Sequence, residues 1–523
     1  MNAVSYTIQG GDYEHGGAAS RSVKEQLKKV GADPAVVRRA MVAAYEAEMN
    51  VVIHAHRGEL RAALQSGQLD VEVIDEGPGI PDIERAMRPG FSTASAEARE
   101  LGFGAGMGLP NIKKNSDEFA IESTVGEGTR VCFSIRLRPQ TLYGSGRRSL
   151  VVAAELCRQS LRCVRACPTQ AMRVLHGKPD VLDYLCIDCT ACIAVCPSGA
   201  LTMTGTLGEL VLDADAVLVI PAESLLQFGA GVTPQRVLAE LTALGFHDVL
   251  ITDAWEAALQ EAVVSHAASD TSFRPAISPA CPAVVNLIET RYPSLIPNLA
   301  PFVSALEAIR AELDGKRAIF VTSCPCQCTA LLAGEAVRGL DVILPATLRA
   351  ALLPRVAGGS AADRAALPVR CADPSDHAGV LRVTGVQHVR NVLEALENDL
   401  AGDVRIVEPW LCDEGCFGSP LMAEDPFLAR SRWAPLPATH LRPARAVRRT
   451  QPQAPRRGLR LDDDMAKAIQ KLGKIDKLTR GLPGSDCGLC GAPTCAALAE
   501  DIVLGRAQAD ACPRRPDDQE KSR

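Results

Sequence analysis

The sequence predicts a multidomain chain that mixes α/β and α+β folds. Three observations carry this reading. At 523 residues the chain is too long for one hydrophobic core, so three or four domains are expected. Apolar residues recur at helical spacing in some stretches and in short strand-like runs in others. Finally, fifteen of the nineteen cysteines gather in a few short segments, which marks out small ligand-dependent modules. The composition, 47% hydrophobic and 23% charged, is that of a globular protein, and a net charge of −6 gives no global pull toward nucleic acid or anionic lipid. No apolar run reaches the ~18 residues of a membrane span. Met1-Asn-Ala-Val-Ser-Tyr-Thr-Ile lacks the basic start and apolar core of a signal peptide. Clustered cysteines without such a signal predict a reducing cytoplasm and metal-ligating thiols rather than disulfides.

The first element is helical. Across residues 20–65, Val36, Val37, Ala40, Met41 and Tyr45 recur at helical intervals, and the helical reading ends near Gly58. Val71–Asp75 is a short alternating strand running into Asp75-Glu-Gly77-Pro-Gly79, a turn whose glycines permit close backbone approach. Gly102-Phe-Gly104-Ala-Gly106-Met-Gly108 follows, a loop whose N–H groups can wrap phosphates, leading into a helix near Pro110. Gly126-Glu-Gly128-Thr129 then turns into the strand Arg130–Leu137.

The order of these segments resembles the GHKL ATPases, a sandwich of helices on a sheet, and within them the serine kinases that act on anti-sigma and switch proteins. Residues 20–138 carry the likeness, including Gly90-Phe-Ser-Thr and Asp117-Glu-Phe-Ala-Ile-Glu-Ser. The resemblance implies ATP and Mg2+ as ligands and a protein as partner, and it leaves the oligomeric state open, a dimer included. It gives Asp75 the adenine amino group and lets Gly77 and Gly79 close on the base. Asn50 would hold Mg2+, and Glu46, one helical turn earlier, would be the base for the attacking hydroxyl. Gly102, Gly104, Gly106 and Gly108 would form the lid, with Thr129 near the adenine.

Next come two cysteine runs. Cys186-x2-Cys189-x2-Cys192-x3-Cys196-Pro197 is the spacing of bacterial ferredoxins. Cys157-x2-Ser160-x2-Cys163-x3-Cys167-Pro168 repeats it with a serine at the second position. In two-cluster ferredoxins the fourth cysteine of each run serves the other cluster. Cys186, Cys189, Cys192 and Cys167 therefore form one complete [4Fe–4S] set. Cys157, Cys163 and Cys196 form the other, where Ser160 could ligate, leave a three-iron cluster, or mark a vacant site. Zinc is the competing reading of such spacing.

Residues 206–435 read as α/β, with strands Ala216–Ile220 and Ala318–Val321 and helices Pro234–Leu244 and Phe302–Leu313. The segments around Cys281, around Cys324-Pro-Cys326-Gln-Cys328 and around Cys412-x3-Cys416 resemble the C-terminal domain of the iron-only hydrogenase large subunit. The resemblance makes Cys281, Cys324, Cys412 and Cys416 the ligands of a further [4Fe–4S] cluster. It also shows departures. Ala280 replaces a proton-relaying cysteine, Gln327 a lysine, and Thr322 and Trp410 methionines, so rapid hydrogen evolution is not expected. Such a domain would keep only the cubane, or bind a two-iron unit as a sensor does. Cys326 and Cys328 could substitute for Cys324, whereas Cys132 and Cys371 show no ligand spacing and read as small buried hydrophobes.

From Trp433 to Arg460 the chain is rich in proline and arginine, which reads as a solvated linker; with no aromatics interleaved, nucleic acid is not expected as a partner. Asp462–Leu478 reads as a helix. Cys487-x2-Cys490-x4-Cys495-x16-Cys512 resembles the small helical [4Fe–4S] domain of electron-transfer complexes and redox-sensing kinases, with zinc as the competing reading. The predicted layout is an ATPase domain at 1–140, a two-cluster domain at 145–205 and a hydrogenase-like domain at 206–432. A linker at 433–460 and a helix plus small cluster domain at 461–523 complete it. The expected function is a redox- or hydrogen-responsive regulator whose ATP module phosphorylates a protein. The alternatives are ATP-coupled electron transfer to a partner oxidoreductase, and an iron–sulfur scaffold with the ATP domain as docking surface.

Overall fold

The computed structural model describes residues 2–65, 67–94, 104, 106–137, 150–175, 177–203, 215–269, 274–313, 315–332, 340–356, 379–398, 400, 402–432 and 444–514. The chain divides into two compact units. One comprises Met1–Leu142, Arg457–Asp486 and Thr494–Arg523; the other comprises Tyr143–Arg456 and Cys487–Pro493.

In the first unit, strands β1 (Asn2–Gln9), β2 (Arg57–Gln65), β3 (Gln68–Asp75), β4 (Glu118–Thr124) and β5 (Gly128–Arg136) form an antiparallel sheet in the order β1-β2-β3-β5-β4. Helices α1 (Ala18–Lys29) and α2 (Pro34–His54) pack on it, with Val23, Leu27, Ala40, Ala44 and Val51 against Leu60, Val71, Val73 and Phe133. The helical reading of residues 20–65 is thus corrected. Gly31, at φ 72°, ends the first helix, and residues 57–65 are a strand. Leu60, Ala62 and Leu64 are buried at every second position, the strand period, which a helical reading extended past Gly58 overlooks.

The same core contains distant residues. Leu461, Ala468, Leu472, Ile475 and Ala499 are at most 1% exposed and join it. Leu461 precedes the helix Met465–Arg480, capped by Asp464 Oδ1 accepting from the Lys467 N–H at 3.1 Å; the others come from that helix and from the helix Cys495–Val503, capped by Thr494. The Leu461 N–H donates to the carbonyl of Lys29 at the end of α1, and Lys29 pairs with Glu500 at 3.9 Å.

Among the described residues, the second unit holds two small antiparallel ladders and two parallel sheets. Leu150–Val152 pairs with Leu201–Met203, and Met172–Leu175 with Lys178–Val181. Val249–Ile251, Val217–Ile220, Ala318–Val321 and Leu340–Ile343 form a four-stranded parallel sheet in that order. Its two central strands, Val-Leu-Val-Ile and Ala-Ile-Phe-Val, are buried throughout, as strands covered on both faces must be. Ala276–Ile277, Ile406–Trp410 and Val380–Thr384 form a three-stranded parallel sheet.

Residues 444–456 are not a solvated linker. The Arg449 N–H donates to the Pro301 carbonyl at 3.0 Å, and Arg448 stacks 5.4 Å above the Phe302 ring. Arg456 pairs with Glu289 at 2.9 Å and donates to Asn286 Oδ1. Arg448, Arg449 and Arg456, three of the arginines that suggested a free basic tract, each find an acceptor or a ring. Residues 433–443 and Cys371 lie outside the described residues, and Cys132 is half-buried on β5. No helix among the described residues is long and apolar enough to cross a membrane.

Candidate functional site

Asp75 ends β3 opposite Thr129, the second residue of β5. Asp75 Oδ1 accepts from the Gly77 N–H at 2.8 Å and from the Thr129 N–H at 3.2 Å. Burial pushes its carboxyl up, and these two donors only partly offset that. Gly79 adopts φ 70°, and a Cβ there would stand 2.2 Å from the Thr124 carbonyl oxygen, so the turn closes on β4 only with glycine. Thr129 Oγ1 shares a 2.9 Å hydrogen bond with Ser123 Oγ.

The second half of the pocket is built on α2. Glu46 and Asn50 are half-buried and share one face, four residues apart. The nearby Glu48 is 2% exposed, and its oxygens accept from the Ala19 and Ser20 N–H groups at 3.0 and 2.9 Å. It therefore caps α1, which leaves Glu46 as the carboxylate that faces the pocket. Gly106 and Gly108 lead into the helix Gly108–Asn115, and the Gly90 N–H donates to the Gly106 carbonyl at 3.0 Å. Gly104 is described, at φ 82°; Gly102 lies outside the described residues.

In the second unit Cys167, Cys186, Cys189 and Cys192 line one cavity, walled otherwise by apolar groups such as Leu150, Met172, Val181 and Pro325. Burial pushes Cys192 up to about 12, with Cys167 and Cys163 adding to it. Burial also raises Cys189, and Cys167, Cys192 and Cys186 raise it further. Cys163 is raised by burial, then by Cys157 and Cys196. Ser160 is exposed. The cavity brings together Cys167, Cys186, Cys189 and Cys192, the first of the two expected sets, while Cys163 adds to Cys192 from the other. A cage of four thiols in an apolar cavity fits a cubane, because buried thiolates need a cation to neutralise them.

A third set lies alongside. Cys281 caps the helix Pro282–Arg291. Burial raises Cys324, and then Cys281 and Cys412 raise it further. Burial, followed by Glu223, Cys324, Cys281 and Cys412, raises Cys416. Cys412 is pushed up to about 12 by burial and by Cys281, against a hydrogen bond from Thr190. Gln327 Oε1 accepts from the Ser323 N–H at 2.8 Å and from its hydroxyl at 2.9 Å, and Gln327 Nε2 donates to Cys416 Sγ at 3.7 Å. The ferredoxin-like loop touches this site directly. Thr329 donates to Asp188 at 2.7 Å, Asn286 Nδ2 donates to the Ile187 carbonyl at 3.5 Å and to Cys326 Sγ at 3.0 Å, and Ile187 shares a core with Val284 and Leu411. No three His, Cys, Asp or Glu side chains among the described residues converge as tightly as a single metal ion requires.

Comparison with known proteins places each module. Residues 11–135 match the histidine kinase-like ATPase domain, and residues 149–197 a 4Fe-4S dicluster domain. The anti-sigma F factor of Caldanaerobacter subterraneus subsp. tengcongensis is 40% identical over 106 residues, 19% of this chain and 71% of that protein. The serine/threonine-protein kinase RsbT of Bacillus subtilis is 33% identical over 118 residues, 22% of this chain and 83% of that protein. Through its first domain, the chain belongs to the histidine kinase-like ATPases. This ATPase carries further modules. Residues 214–329 match the C-terminal domain of the iron-only hydrogenase large subunit. That match stops short of Cys412 and Cys416. Residues 482–514 match an Fe–S cluster family. The NADP-reducing hydrogenase subunit HndD of Solidesulfovibrio fructosivorans is 28% identical over 183 residues, 28% of this chain and 31% of that protein. The cofactor set of this histidine kinase-like ATPase is accordingly 4Fe–4S clusters with ATP and Mg2+.

Sequence reading did not single out Asn111, Glu48, Thr190, Asn286 or Glu223. Asn111 had a local signal, since it stands three residues after the last lid glycine in a helix that must cover Glu46. The others act across elements far apart in sequence.

Proposed function

We propose that this chain is a redox-responsive regulator in which an ATP module of the anti-sigma type phosphorylates a serine or threonine on a protein partner in a reducing cytoplasm. One observation carries the redox part. The helix that begins at Cys495, a cluster ligand by its spacing, contributes Ala499 to the core of the ATPase sheet, and Glu500 pairs with Lys29 of α1. A cluster changes charge by one electron when reduced, and in a poorly screened interior that change acts on its neighbours. Whatever shifts this helix then shifts α1 and, through Glu48, α2. At the nucleotide, Asp75 accepts from the adenine amino group and Asn50 offers its amide oxygen to Mg2+. Glu46 takes the proton of the attacking hydroxyl.

The contact between the ferredoxin-like loop and the region of the Cys281–Cys416 site favours a second reading, in which ATP turnover gates electrons passing along this chain of sites to an acceptor. Anaerobic protein incubated with labelled ATP and candidate partners separates the two. The first reading expects a phosphoprotein whose yield changes between dithionite-reduced and oxidised protein. Glu46→Ala should abolish the phosphoprotein and leave cluster absorbance intact. ATP turnover that tracks acceptor reduction, with no phosphoprotein, selects the second.

A further inference from the structure

The helix Gly108–Asn115 lies over the Glu46–Asn50 face and touches both residues. Asn111 Nδ2 donates to Glu46 Oε1 at 2.7 Å. At Gly108, a Cβ would stand 2.9 Å from Asn50 Oδ1 and 3.4 Å from Glu46 Oε2. The helix is held in register by Ile112, fully buried in the core, and by Asn115 Nδ2 donating to the Asn111 carbonyl at 2.9 Å. An ionised carboxylate only accepts, so the amide must present its NH2 group to it.

We propose that Asn111 is a positioning residue for Glu46. Its amide holds Oε1 and turns Oε2, the oxygen beside Gly108, toward the substrate hydroxyl. This inference rests on the kinase reading above and deepens it. In that reaction the hydroxyl proton passes to Glu46 Oε2 while the hydroxyl oxygen bonds to the γ-phosphorus of ATP. The bond from that phosphorus to the β,γ-bridging oxygen breaks, and its electron pair leaves with ADP. Asn111 touches none of the reacting atoms. Its effect is to remove the rotational freedom of a base whose aim sets the rate. Glu48 provides the internal contrast. It lies on the same helix, but both its oxygens are tied to backbone N–H groups of α1, a structural task that leaves no oxygen for a substrate.

The test compares wild type, Asn111→Ala, Asn111→Asp and Glu46→Gln, and the Glu46→Gln/Asn111→Ala double variant. Phosphotransfer turnover and the affinity of a fluorescent ATP analogue are measured together. Asn111→Ala should lower turnover by about 10²-fold, the scale of a misplaced catalytic group. Analogue affinity should stay within about twofold, which also reports that the domain is folded. Asn111→Asp, isosteric but repelling the carboxylate, should lose at least as much turnover. In the Glu46→Gln background Asn111→Ala should cost little more, since residues acting as one unit are not additive. Unchanged turnover in Asn111→Ala overturns the proposal. So does an affinity loss as large as the turnover loss, or full additivity with Glu46→Gln. A wild-type protein with no phosphotransfer at all refutes the kinase reading instead, so the two failures are distinct.

Discussion

The nucleotide pocket and the thiol cages treat buried polar groups in opposite ways. Asp75 is partly desolvated, yet two backbone N–H groups already face its Oδ1 and a 2.9 Å bond joins Ser123 to Thr129. Glu46 has its amide donor and Glu48 its helix cap. The pocket is thus satisfied by the protein itself. Cys189, Cys324 and Cys416 are raised first by burial and then by neighbouring thiols, with Glu223 ahead of the thiols at Cys416, and only scattered donors stand in opposition. Such sites are comfortable as neutral thiols or as ligands of a cation, and not as bare thiolates. The lesson is that the ATP site is preorganised, whereas the cages carry charge only with a cation among the thiols.

Iron removal tests this contrast most severely and should have the largest effect. Chelated, anaerobically prepared protein should lose several kcal/mol of local stability around residues 157–196 and 281–416, in keeping with metal-coupled folding. Hydrogen exchange there should rise sharply while β2, β3 and β5 keep their protection. Equal loss in the sheet breaks the comparison. Leu472→Ala probes the point where a cluster-bearing segment enters the ATPase core. It removes a side chain 1% exposed and should cost about 3 kcal/mol in urea unfolding of the first unit. Next comes Asp75→Asn, which should weaken ATP binding by about 2 kcal/mol in calorimetry, because a charged acceptor is replaced by a group that must find new partners.

The smallest effect is on pH. Asp75 is raised by burial, so as pH falls it takes up its proton earlier than an ordinary aspartate does. ATP affinity should therefore begin to fall on acidification at a pH above the usual carboxylate range, and Asp75→Asn should flatten that limb. The linked sign for the nucleotide-free domain is the reverse. A raised carboxyl favours the folded state below its unfolded value and withdraws that support as pH rises through the folded one.

Much of this was legible in the sequence because glycine and cysteine carry strong local rules. Asp75-x-Gly77-x-Gly79 places a turn, and Cys186-x2-Cys189-x2-Cys192 a cage, with little help from elsewhere. The strand at residues 57–65 was lost because Arg57-Gly-Glu-Leu-Arg-Ala-Ala-Leu-Gln satisfies helical spacing nearly as well as strand spacing, and only pairing with β1 and β3 decides. The arginines of residues 444–456 looked solvated because their acceptors, Glu289 and the carbonyls of Pro301 and Phe302, lie some 150 residues away. Asn111 illustrates the intermediate case. Its position was readable, but its partner Glu46, 65 residues earlier, was not.

The core of the first unit is assembled from two widely separated stretches of the polypeptide, since Leu461, Leu472, Ile475 and Ala499 close over residues contributed before position 136. On the ribosome, those closing side chains emerge only after the whole intervening stretch of cysteines has been synthesised. The core of the ATPase sheet therefore cannot finish closing before the cysteines of residues 157–416 have left the ribosome.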